Sequence, residues 1–387
     1  MTRWVSHPIL NLRGPVKHVV FAHRKLSFGG GERVLLEQVA ALAELPLKVS
    51  VLFRKEPGKR DIEPELRERN PNVADVIHLP GAVGAFRWLW RTQPDLLVLC
   101  NHKGVQRALP WLARLRHRIP CVLTLHEHYE RHLRKYRGVR NLVDRWICTY
   151  DFTAAVGAHL SQAPCSIIHP LYPRAEVEPA HDEGRRAARR ALRVPENSVV
   201  VGYAGQMDAR KATSDVVCFA SRLREQLNRP LHLLLAGRED PGYAQEIQDA
   251  LEDERMSGQC TRTGPLKNLS PAFTALDLYV MTSRNEGFFP IALIEALERG
   301  VPVLAPTVGG IGTVLKDGEG GFLLQKPDDR RPVPEPVLLA AAARLAPLLA
   351  DANGWEVQRA KAHAFGTSLT RNYDAAAKFR EVVAPWL

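Results

Sequence analysis

The chain has 387 residues, of which 45% are hydrophobic and 25% are charged, and its formal net charge at pH 7 is +11. This length is too great for one ordinary domain and suits two, while the composition is that of a soluble globular protein. The six cysteines are scattered without a C-x-x-C pair, which argues against a disulfide framework or a zinc site and favours reduced thiols. The sequence shows no signal-peptide pattern and no run of the roughly 18 apolar residues that a spanning helix needs. We therefore predict a cytoplasmic protein with an anionic partner.

The first half of the chain alternates strand and helix patterns. Residues 16–22 are predicted to form a strand that leads into a glycine run, Gly29 to Gly31, and then into a helix. Further strands are predicted at residues 48–53, 76–79, 96–100 and 120–125. Because helical stretches such as residues 105–115 lie between them, we expect a parallel sheet with helices on both faces.

The second half repeats this alternation. Residues 169–197 carry prolines and mixed charge without a strand pattern, so we predict the connection between domains there. The next strands are predicted at residues 198–204, 231–236, 278–281 and 301–305. The predicted fold class is α/β, with two Rossmann-like domains, residues 1–170 and 171–365, facing each other across a cleft.

The most informative motif lies in residues 283–300. It places Glu286 on a glycine-containing loop after a predicted strand, and Glu295 within the helix that follows. Ligands bind at the carboxyl ends of such strands. A carboxylate accepts hydrogen bonds from hydroxyls, and a helix N-terminus binds anions through its N–H groups. The motif predicts a ligand with both hydroxyl and phosphate groups.

Other polar residues also follow predicted strands. Arg210 and Lys211 lie in the loop after residues 198–204, in a position to neutralise a diphosphate leaving group, and Arg238 follows residues 231–236. The glycine run after the first strand would let the backbone approach a phosphate or a sugar, but it does not match the dinucleotide fingerprint.

His126 follows the strand predicted at residues 120–125. A histidine at that point can donate a hydrogen bond to a substrate hydroxyl or stabilise a leaving oxygen. A metal site is not predicted, because His126, Glu127 and His128 are adjacent on an extended segment and point to opposite faces.

Two basic clusters offer surfaces for anions. Residues 131–145 mix arginine and lysine with aromatic and aliphatic residues, which suits either a helix on an anionic membrane surface or a solvated helix face. The second cluster is interpreted as a solvated helix in the connector and comprises Arg185, Arg186, Arg189 and Arg190. Neither is an aromatic-rich basic strand or a recognition helix, so a nucleic-acid partner is not predicted.

Several motifs together resemble the retaining glycosyltransferases of family 4, which have the two-domain GT-B fold. In the second half they are Glu286-Gly287-Phe288, Glu295-Ala296-Leu297, Gly300-Val301-Pro302-Val303, Gly309-Gly310-Ile311 and Gly320-Gly321-Phe322-Leu323. The resemblance extends to Gly30-Gly31-Glu32-Arg33, Thr124-Leu125-His126, residues 205–211 and residues 234–237, and so covers nearly the whole chain. It also implies that residues 366–387 form a helix that crosses back to the first domain.

The resemblance implies roles for single residues. Glu286 would contact the hydroxyls of the donor sugar, Glu295 the ribose, and His126 the sugar near its reacting carbon. Lys211 and the amides around Phe288–Ile291 would approach the diphosphate. The residues predicted to act in catalysis are His126, Lys211 and Glu286. The residues predicted to bind the donor are Gly30, Gly31, Gln206, Arg210, Lys211, Arg238, Gly287, Phe288, Phe289, Pro290, Ile291 and Glu295.

Two positions depart from the family pattern. Eight residues separate Glu286 from Glu295, where the family usually has seven. We expect Phe289 to be the additional residue, absorbed in the loop before Pro290 opens the helix; an insertion inside the helix would instead turn Glu295 away from the site. The second departure is Gln206, where the family typically has an arginine, so Arg210 and Lys211 are left to carry the cationic charge.

These observations predict a retaining transferase that moves a hexose-type sugar from a nucleotide-diphosphate sugar to an acceptor hydroxyl, without a metal or other cofactor. The predicted acceptor is an anionic glycolipid or saccharide, such as a bacterial lipopolysaccharide intermediate or another envelope glycolipid. Contact with the cytoplasmic face of the membrane is predicted through Arg131–Arg145. The alternatives are another reaction of sugar nucleotides, such as epimerisation, and an inactive protein that binds sugar nucleotides or nucleic acid.

Overall fold

The computed structural model describes residues 16–24, 26, 30–54, 62–79, 81–125, 136–149, 151–169, 179–286, 289–325, 331–371 and 373–387. The chain divides into two compact units. The first consists of Met1–Pro170 with Ala376–Leu387, and the second of Leu171–Ala375.

The described part of the first unit contains one parallel sheet in the order β3-β2-β1-β4-β5-β6-β7. Its strands are β1 Lys17–His23, β2 Leu47–Phe53, β3 Val73–His78, β4 Leu96–Cys100, β5 Cys121–Leu125, β6 Arg145–Cys148 and β7 Cys165–Ile167. Its helices before the second unit are α1 Gly30–Ala40, α2 Glu63–Arg69, α3 Ala82–Thr92, α4 Lys103–Arg114 and α5 Asp151–Leu160.

The second unit contains another parallel sheet, in the order β10-β9-β8-β11-β12-β13. Its strands are β8 Val199–Ala204, β9 Leu231–Ala236, β10 Cys260–Arg262, β11 Leu278–Val280, β12 Val303–Pro306 and β13 Gly321–Leu324. Its helices are α6 Asp182–Leu192, α7 Thr213–Gln226, α8 Ala244–Asp253, α9 Ser270–Ala275, α10 Ile291–Glu298, α11 Ile311–Val314, α12 Glu335–Ala350 and α13 Ala352–Arg371.

The last helix, α14 (Ala375–Val383), lies mostly in the first unit. The ring of Phe379 packs 6.2 Å from the ring of Phe21 in β1. Arg380 Nη1 donates a hydrogen bond of 3.3 Å to the carbonyl oxygen of Ala41, which follows α1. After the second unit the chain therefore contributes again to the core of the first.

The predicted α/β class is confirmed, because both sheets are parallel and alternate with helices. β4 and β9 have the predicted bounds, and each is buried along its whole length. Such strands are easy to recognise, since a strand covered on both faces is a continuous apolar run. The prediction missed β6, β7, β10 and β13, which have only three or four residues each.

The basic segment at residues 131–145 is not one helix in its described part. Arg140–Leu142 forms a short 3-10 helix, and Arg145 is the first residue of β6. Arg145 Nη1 donates a hydrogen bond of 3.1 Å to Ser166 Oγ in the neighbouring strand β7. The prediction of a helix is wrong here because the apolar residues after Arg145 are core residues of a strand. Residues 131–135 lie outside the described residues.

The predicted connector contains helix α6, and one of its arginines is not solvated. Arg189 is buried, and its guanidinium lies 2.8 Å from Asp277 Oδ2. Arg359 of α13 lies 2.5 Å from Asp277 Oδ1. The interpretation of the cluster as a solvated helix face therefore holds for Arg186 and Arg190 but is wrong for Arg189, whose burial the sequence pattern does not reveal.

Among the described residues, no single helix has the length and apolar character to cross a membrane. One bent pair, Glu335–Ala350 with Ala352–Trp386 at 108°, passes the same test by length and composition alone.

Candidate functional site

The strand order of the second sheet reverses between β8 and β11. At such a switch point the loops at the carboxyl ends of the two central strands diverge and leave a crevice where ligands bind. Here the two loops are residues 205–212 and residues 281–290. Both had been singled out by the sequence, and the topology places them side by side.

Direct hydrogen bonds join the two loops. The amide of Arg284 donates to the carbonyl oxygen of Arg210 at 2.8 Å, and Thr282 Oγ1 donates to the carbonyl oxygen of Ala212 at 2.8 Å. Asp208 Oδ1 accepts hydrogen bonds from the amides of Arg210 (3.0 Å) and Lys211 (2.9 Å). These bonds fix the backbone that carries the two cations. No local sequence pattern points to these roles of Asp208 and Thr282.

Glu286 is the centre of this site. Only 7% of the residue is exposed. Its Oε1 is paired with Lys211 Nζ, and its Oε2 lies 3.2 Å from Arg210 Nη1. Arg210 Nη1 also donates to the carbonyl oxygen of Asn285 at 3.2 Å. One carboxylate is therefore clamped by two cations from the neighbouring loop.

The electrostatics follow from this arrangement. Burial acts to raise the pKa of Glu286, but the charges of Lys211 and Arg210 outweigh it and hold the pKa below its ordinary value. Burial lowers the pKa of Lys211, and the nearby Arg210 acts in the same direction against the attraction of Glu286. The carboxylate is stabilised as an anion, while the ammonium is a partly desolvated cation that a further anion would stabilise.

Gly309 supports Glu286 from the other side. It follows β12 and has a φ of +55°, a conformation that glycine adopts most readily. A β-carbon built at this position would overlap the carbonyl oxygen of Glu286. The sequence marks Gly309 only as part of the Gly309-Gly310-Ile311 motif, and the folded structure shows which backbone it meets.

Glu295 lies in the helix that follows the loop of Glu286. α10 runs without interruption from Ile291 to Glu298, and Glu295 is half-buried within it. The pKa of Tyr279 is raised by burial, by the neighbouring Tyr203 and by the charges of Glu286 and Glu295. Both carboxylates therefore act on the same tyrosine.

Phe289 lies in the loop directly before this helix and is fully buried in the core. Pro290 precedes the first helical residue with φ −62° and ψ 135°. This arrangement agrees with an additional residue in the loop rather than in the helix. Gly287 and Phe288 lie outside the described residues.

Gln206 and Arg238 lie at the ends of adjacent strands. Arg238 Nη2 is 3.4 Å from Gln206 Oε1, and both side chains are exposed. A β-carbon at Gly237 would overlap the carbonyl oxygen of Gly205, so the loops after β8 and β9 are in close contact. Arg238 thereby adds a cation beside the position where the family typically has an arginine.

The remaining predicted residues belong to the first unit. Gly30 begins α1 and Gly31 is its second residue, and this helix follows β1 at the switch point of the first sheet. His126 lies outside the described residues. His102, which also follows a strand, is buried after β4 and caps α4, because its Nδ1 accepts a hydrogen bond of 3.2 Å from the amide of Val105. This bond gives it a structural role at the start of the helix.

The described residues contain no group of three or more histidine, cysteine, aspartate or glutamate side chains arranged to hold a metal ion.

Two family models match the chain and together cover more than half of it. Residues 28–171 match the model described as Glycosyltransferase Family 4, and residues 184–331 match Glycosyl transferases group 1. The D-inositol 3-phosphate glycosyltransferase of Thermobispora bispora is 28% identical over 365 residues, which is 83% of this chain and 82% of that protein. The protein of the same name from Rhodococcus erythropolis is 26% identical over 372 residues, or 85% and 84% of the two chains.

Solved structures share the fold over nearly the full length. Anabaena HepE in complex with UDP and glucose has a TM-score of 0.75 at 17% identity, covering 95% of this chain and 99% of its own. WaaG, a glycosyltransferase involved in lipopolysaccharide biosynthesis, has a TM-score of 0.70 at 15% identity, with coverage of 95% and 99%. With two matching family models and this shared fold, the chain belongs to the group 1 glycosyltransferases of the GT-B fold and is a glycosyltransferase.

Proposed function

We propose that the protein transfers a hexose-type sugar from a nucleotide-diphosphate sugar to an acceptor hydroxyl, with retention of the anomeric configuration and without a metal ion. The observation that carries this proposal is the buried Glu286 carboxylate, paired with Lys211 and Arg210 at the switch point of the second sheet. HepE, which shares the fold, was solved with UDP and with UDP-glucose. That supports a nucleotide sugar as the donor.

The clamp suggests how a donor would be held. A diphosphate competes with Glu286 for Lys211 and Arg210, because it presents more anionic oxygens than one carboxylate. Glu286 released from its cations is a buried acceptor for sugar hydroxyls. These residues thus bind each other in the free protein. In the complex, Lys211 and Arg210 would bind the diphosphate, and Glu286 would bind the sugar.

During transfer the bond between the anomeric carbon and the diphosphate oxygen breaks, and the acceptor oxygen forms the new bond. The acceptor proton passes to water, and the nucleoside diphosphate leaves with the electron pair of the broken bond and therefore with additional negative charge. Lys211, Arg210 and Arg238 are in a position to stabilise that charge. Glu295 would bind the ribose, Gly30, Gly31 and the amides at residues 287–291 the diphosphate, and His126 the sugar.

For the acceptor we propose an anionic molecule with a free hydroxyl, and our first candidate is a bacterial envelope glycolipid such as a lipopolysaccharide intermediate. The net charge of +11 supports an anionic acceptor. The second candidate is a phosphorylated polyol, because two relatives that align with more than four-fifths of the chain are named for inositol 3-phosphate. A cytoplasmic location, in part at the membrane surface, would suit the glycolipid.

The first experiment is a thermal-shift panel with UDP, GDP, ADP and CMP sugars, since a bound donor raises Tm by mass action. The donor found in this way is then incubated with each acceptor class, and the anomeric configuration of the product is read by NMR. We expect transfer with retention that persists in EDTA and is lost in Glu286→Ala and Lys211→Ala.

Each alternative has its own outcome. Normal turnover in both variants would exclude the assigned site, an inverted product would exclude retention, and loss of activity in EDTA would exclude metal independence. Consumption of the donor without an acceptor would indicate an epimerase or a related enzyme. A panel without any shift would favour an inactive protein, and salt-dependent DNA binding without turnover would revive the nucleic-acid alternative.

A further inference from the structure

The first unit carries an unusual surface on two neighbouring helices, α3 and α4. The inner faces of both helices pack into one core beside strands β4 and β5. Their outer faces expose large apolar side chains: Trp90 and Trp111 are each 41% exposed, Val83 55% and Leu115 56%. Scattered exposed apolar residues need no explanation, but a contiguous group marks an interaction site.

The aromatic side chains of this surface are contiguous. Phe86 stacks on Trp90 with ring centroids 6.0 Å apart, and the same Phe86 lies 6.2 Å from Trp111 of the other helix. The ring of His117 lies 5.2 Å from Trp90. One aromatic cluster therefore spans both helices.

Basic side chains surround this cluster. Val83, Arg87 and Trp90 follow one another at intervals of one helical turn in α3. In α4 the same spacing relates residues 103, 107 and 111, and it continues to Leu115 directly after the helix. The exposed basic residues of the surface are Arg87, Arg91, Lys103, Arg107, Arg114 and Arg116.

These cations are not balanced by acidic residues of the same two helices. Neither α3 nor α4 contains an aspartate or a glutamate, and none of the six cations forms an ion pair with a described residue. The acidic residue between the two helices, Asp95, is already paired with Lys17 at 3.1 Å. The surface is therefore strongly positive, and its charge is not neutralised within the described part of the chain.

An anionic lipid surface complements both properties. Tryptophan side chains favour the interface between lipid and water, and each lysine or arginine beside an anionic membrane adds to the attraction. A helix that lies in the interface combines an apolar group with flanking cations. A second copy of the chain is a poor occupant, because it would bring two sets of six cations face to face.

We propose that the α3–α4 surface, defined by the aromatic cluster and the six cations around it, docks the protein on an anionic phospholipid bilayer. The surface differs from the segment at residues 131–145 that the sequence had suggested. The inference does not depend on the identity of donor or acceptor, so it can fail while the proposed transfer stands, and the reverse also holds.

The experiment is flotation of the full chain with vesicles of phosphatidylcholine alone or mixed with phosphatidylglycerol, at low and high salt. We expect binding to the mixed vesicles that weakens with salt. The double variant Arg87→Gln/Arg107→Gln should lower the partition coefficient about fivefold per residue removed. Trp90→Ser/Trp111→Ser should lower it by about tenfold or more, because the aromatic group no longer enters the interface.

A matched control removes exposed apolar and basic residues from the second unit. Leu339 is 38% exposed in α12, and Val357 is 54% exposed in α13. Leu339→Ser/Val357→Ser and Lys361→Gln should bind like the wild type, and thermal unfolding should show that all variants fold.

Three outcomes would overturn the proposal. The first is equal binding to both kinds of vesicle, and the second is unchanged binding of the arginine and tryptophan variants. The third is displacement of the protein from the vesicles by a nucleic-acid duplex at the same concentration as the lipid, with duplex binding that requires the same side chains. That result would identify the surface as a nucleic-acid site.

Discussion

Two carboxylates flank strand β11. Each of them pairs with two cationic side chains, but one cluster is buried and the other is partly exposed to solvent. Asp277, directly before the strand, pairs with Arg189 and Arg359. Glu286, in the loop after the strand, pairs with Lys211 and Arg210. In each case one anion is held by two cations.

The difference lies in how fully each cluster is enclosed and satisfied. The side chains of Arg189 and Arg359 are only 8% and 5% exposed. Arg189 also donates to the carbonyl oxygens of Ala275, Glu196 and Ser198, so its donors are used within the fold. The side chain of Arg210 beside Glu286 is 50% exposed. One anion between two cations is therefore a structural cluster at the amino end of the strand and is open to a ligand at the carboxyl end.

The largest expected effect concerns the enclosed cluster. Asp277→Asn removes the counterion that two buried guanidinium groups share and leaves, among the described residues, only the exposed Glu356, 3.4 Å from Arg359 Nε. We expect the free energy of unfolding to fall by about 3–5 kcal/mol. Glu286→Gln should cost less, because water reaches Arg210. Urea unfolding measures both losses. Glu63→Gln, which breaks an exposed ion pair with Arg67, is the control and should cost less than about 1 kcal/mol. Equal losses for Asp277→Asn and Glu286→Gln would remove the distinction between the two clusters.

The second prediction concerns catalysis. Lys211→Ala should lower kcat about 10²- to 10³-fold, because a preorganised cation at the leaving group is lost, while the protein stays folded. Lys316→Ala is the matched control, since that lysine lies in the same unit and its side chain is 73% exposed. Steady-state kinetics with the donor from the nucleotide-sugar panel provide the measurement. A Lys211→Ala enzyme with wild-type kcat would show that the open cluster is not the reaction site.

The third prediction tests the backbone support of Glu286. Gly309→Ala combines a positive φ with an overlap against the Glu286 carbonyl, whereas Gly318 has a φ of +84° and no atom within 4 Å of a β-carbon built there. Gly318→Ala should therefore show only the conformational cost of about 1 kcal/mol. Gly309→Ala should cost more and should also reduce transfer, because Glu286 is displaced. Thermal unfolding and activity are measured on both variants, and identical behaviour of the two would show that Gly309 does not position Glu286.

The smallest expected effect is a pH dependence. The folded protein holds the pKa of Glu286 below its ordinary value of 4.5, so the unfolded chain takes up that proton first as the pH falls. The contribution of Glu286 to stability is therefore complete above about pH 4.5 and is lost as the pH falls through the folded pKa. Urea unfolding at a series of acidic pH values should show a shallower decline for Glu286→Gln than for the wild type. Glu319→Gln, at an exposed carboxylate, should keep the wild-type slope; a Glu286→Gln slope equal to it would contradict the assignment.

The elements that the sequence predicts most accurately are those whose burial leaves a local pattern. β4 and β9 were predicted to the residue, because continuous apolar runs between turn residues identify central strands of a parallel sheet. The short strands β7 and β10 were missed because their residues are partly exposed. The loops with Lys211 and Glu286 were identified because each follows a recognisable strand.

The sequence by itself determined the α/β class, the two series of strands, the family and the loop positions of Glu286, Arg210 and Lys211, since all of these depend on local composition and spacing. Only the tertiary structure decided which charges meet. It buried Arg189 against Asp277 at one end of β11, set Gly309 against Glu286 at the other, and brought Trp90 and Trp111 onto one surface. Each of these pairs is distant along the chain, and strand order and helix packing, which no local pattern encodes, bring its members together.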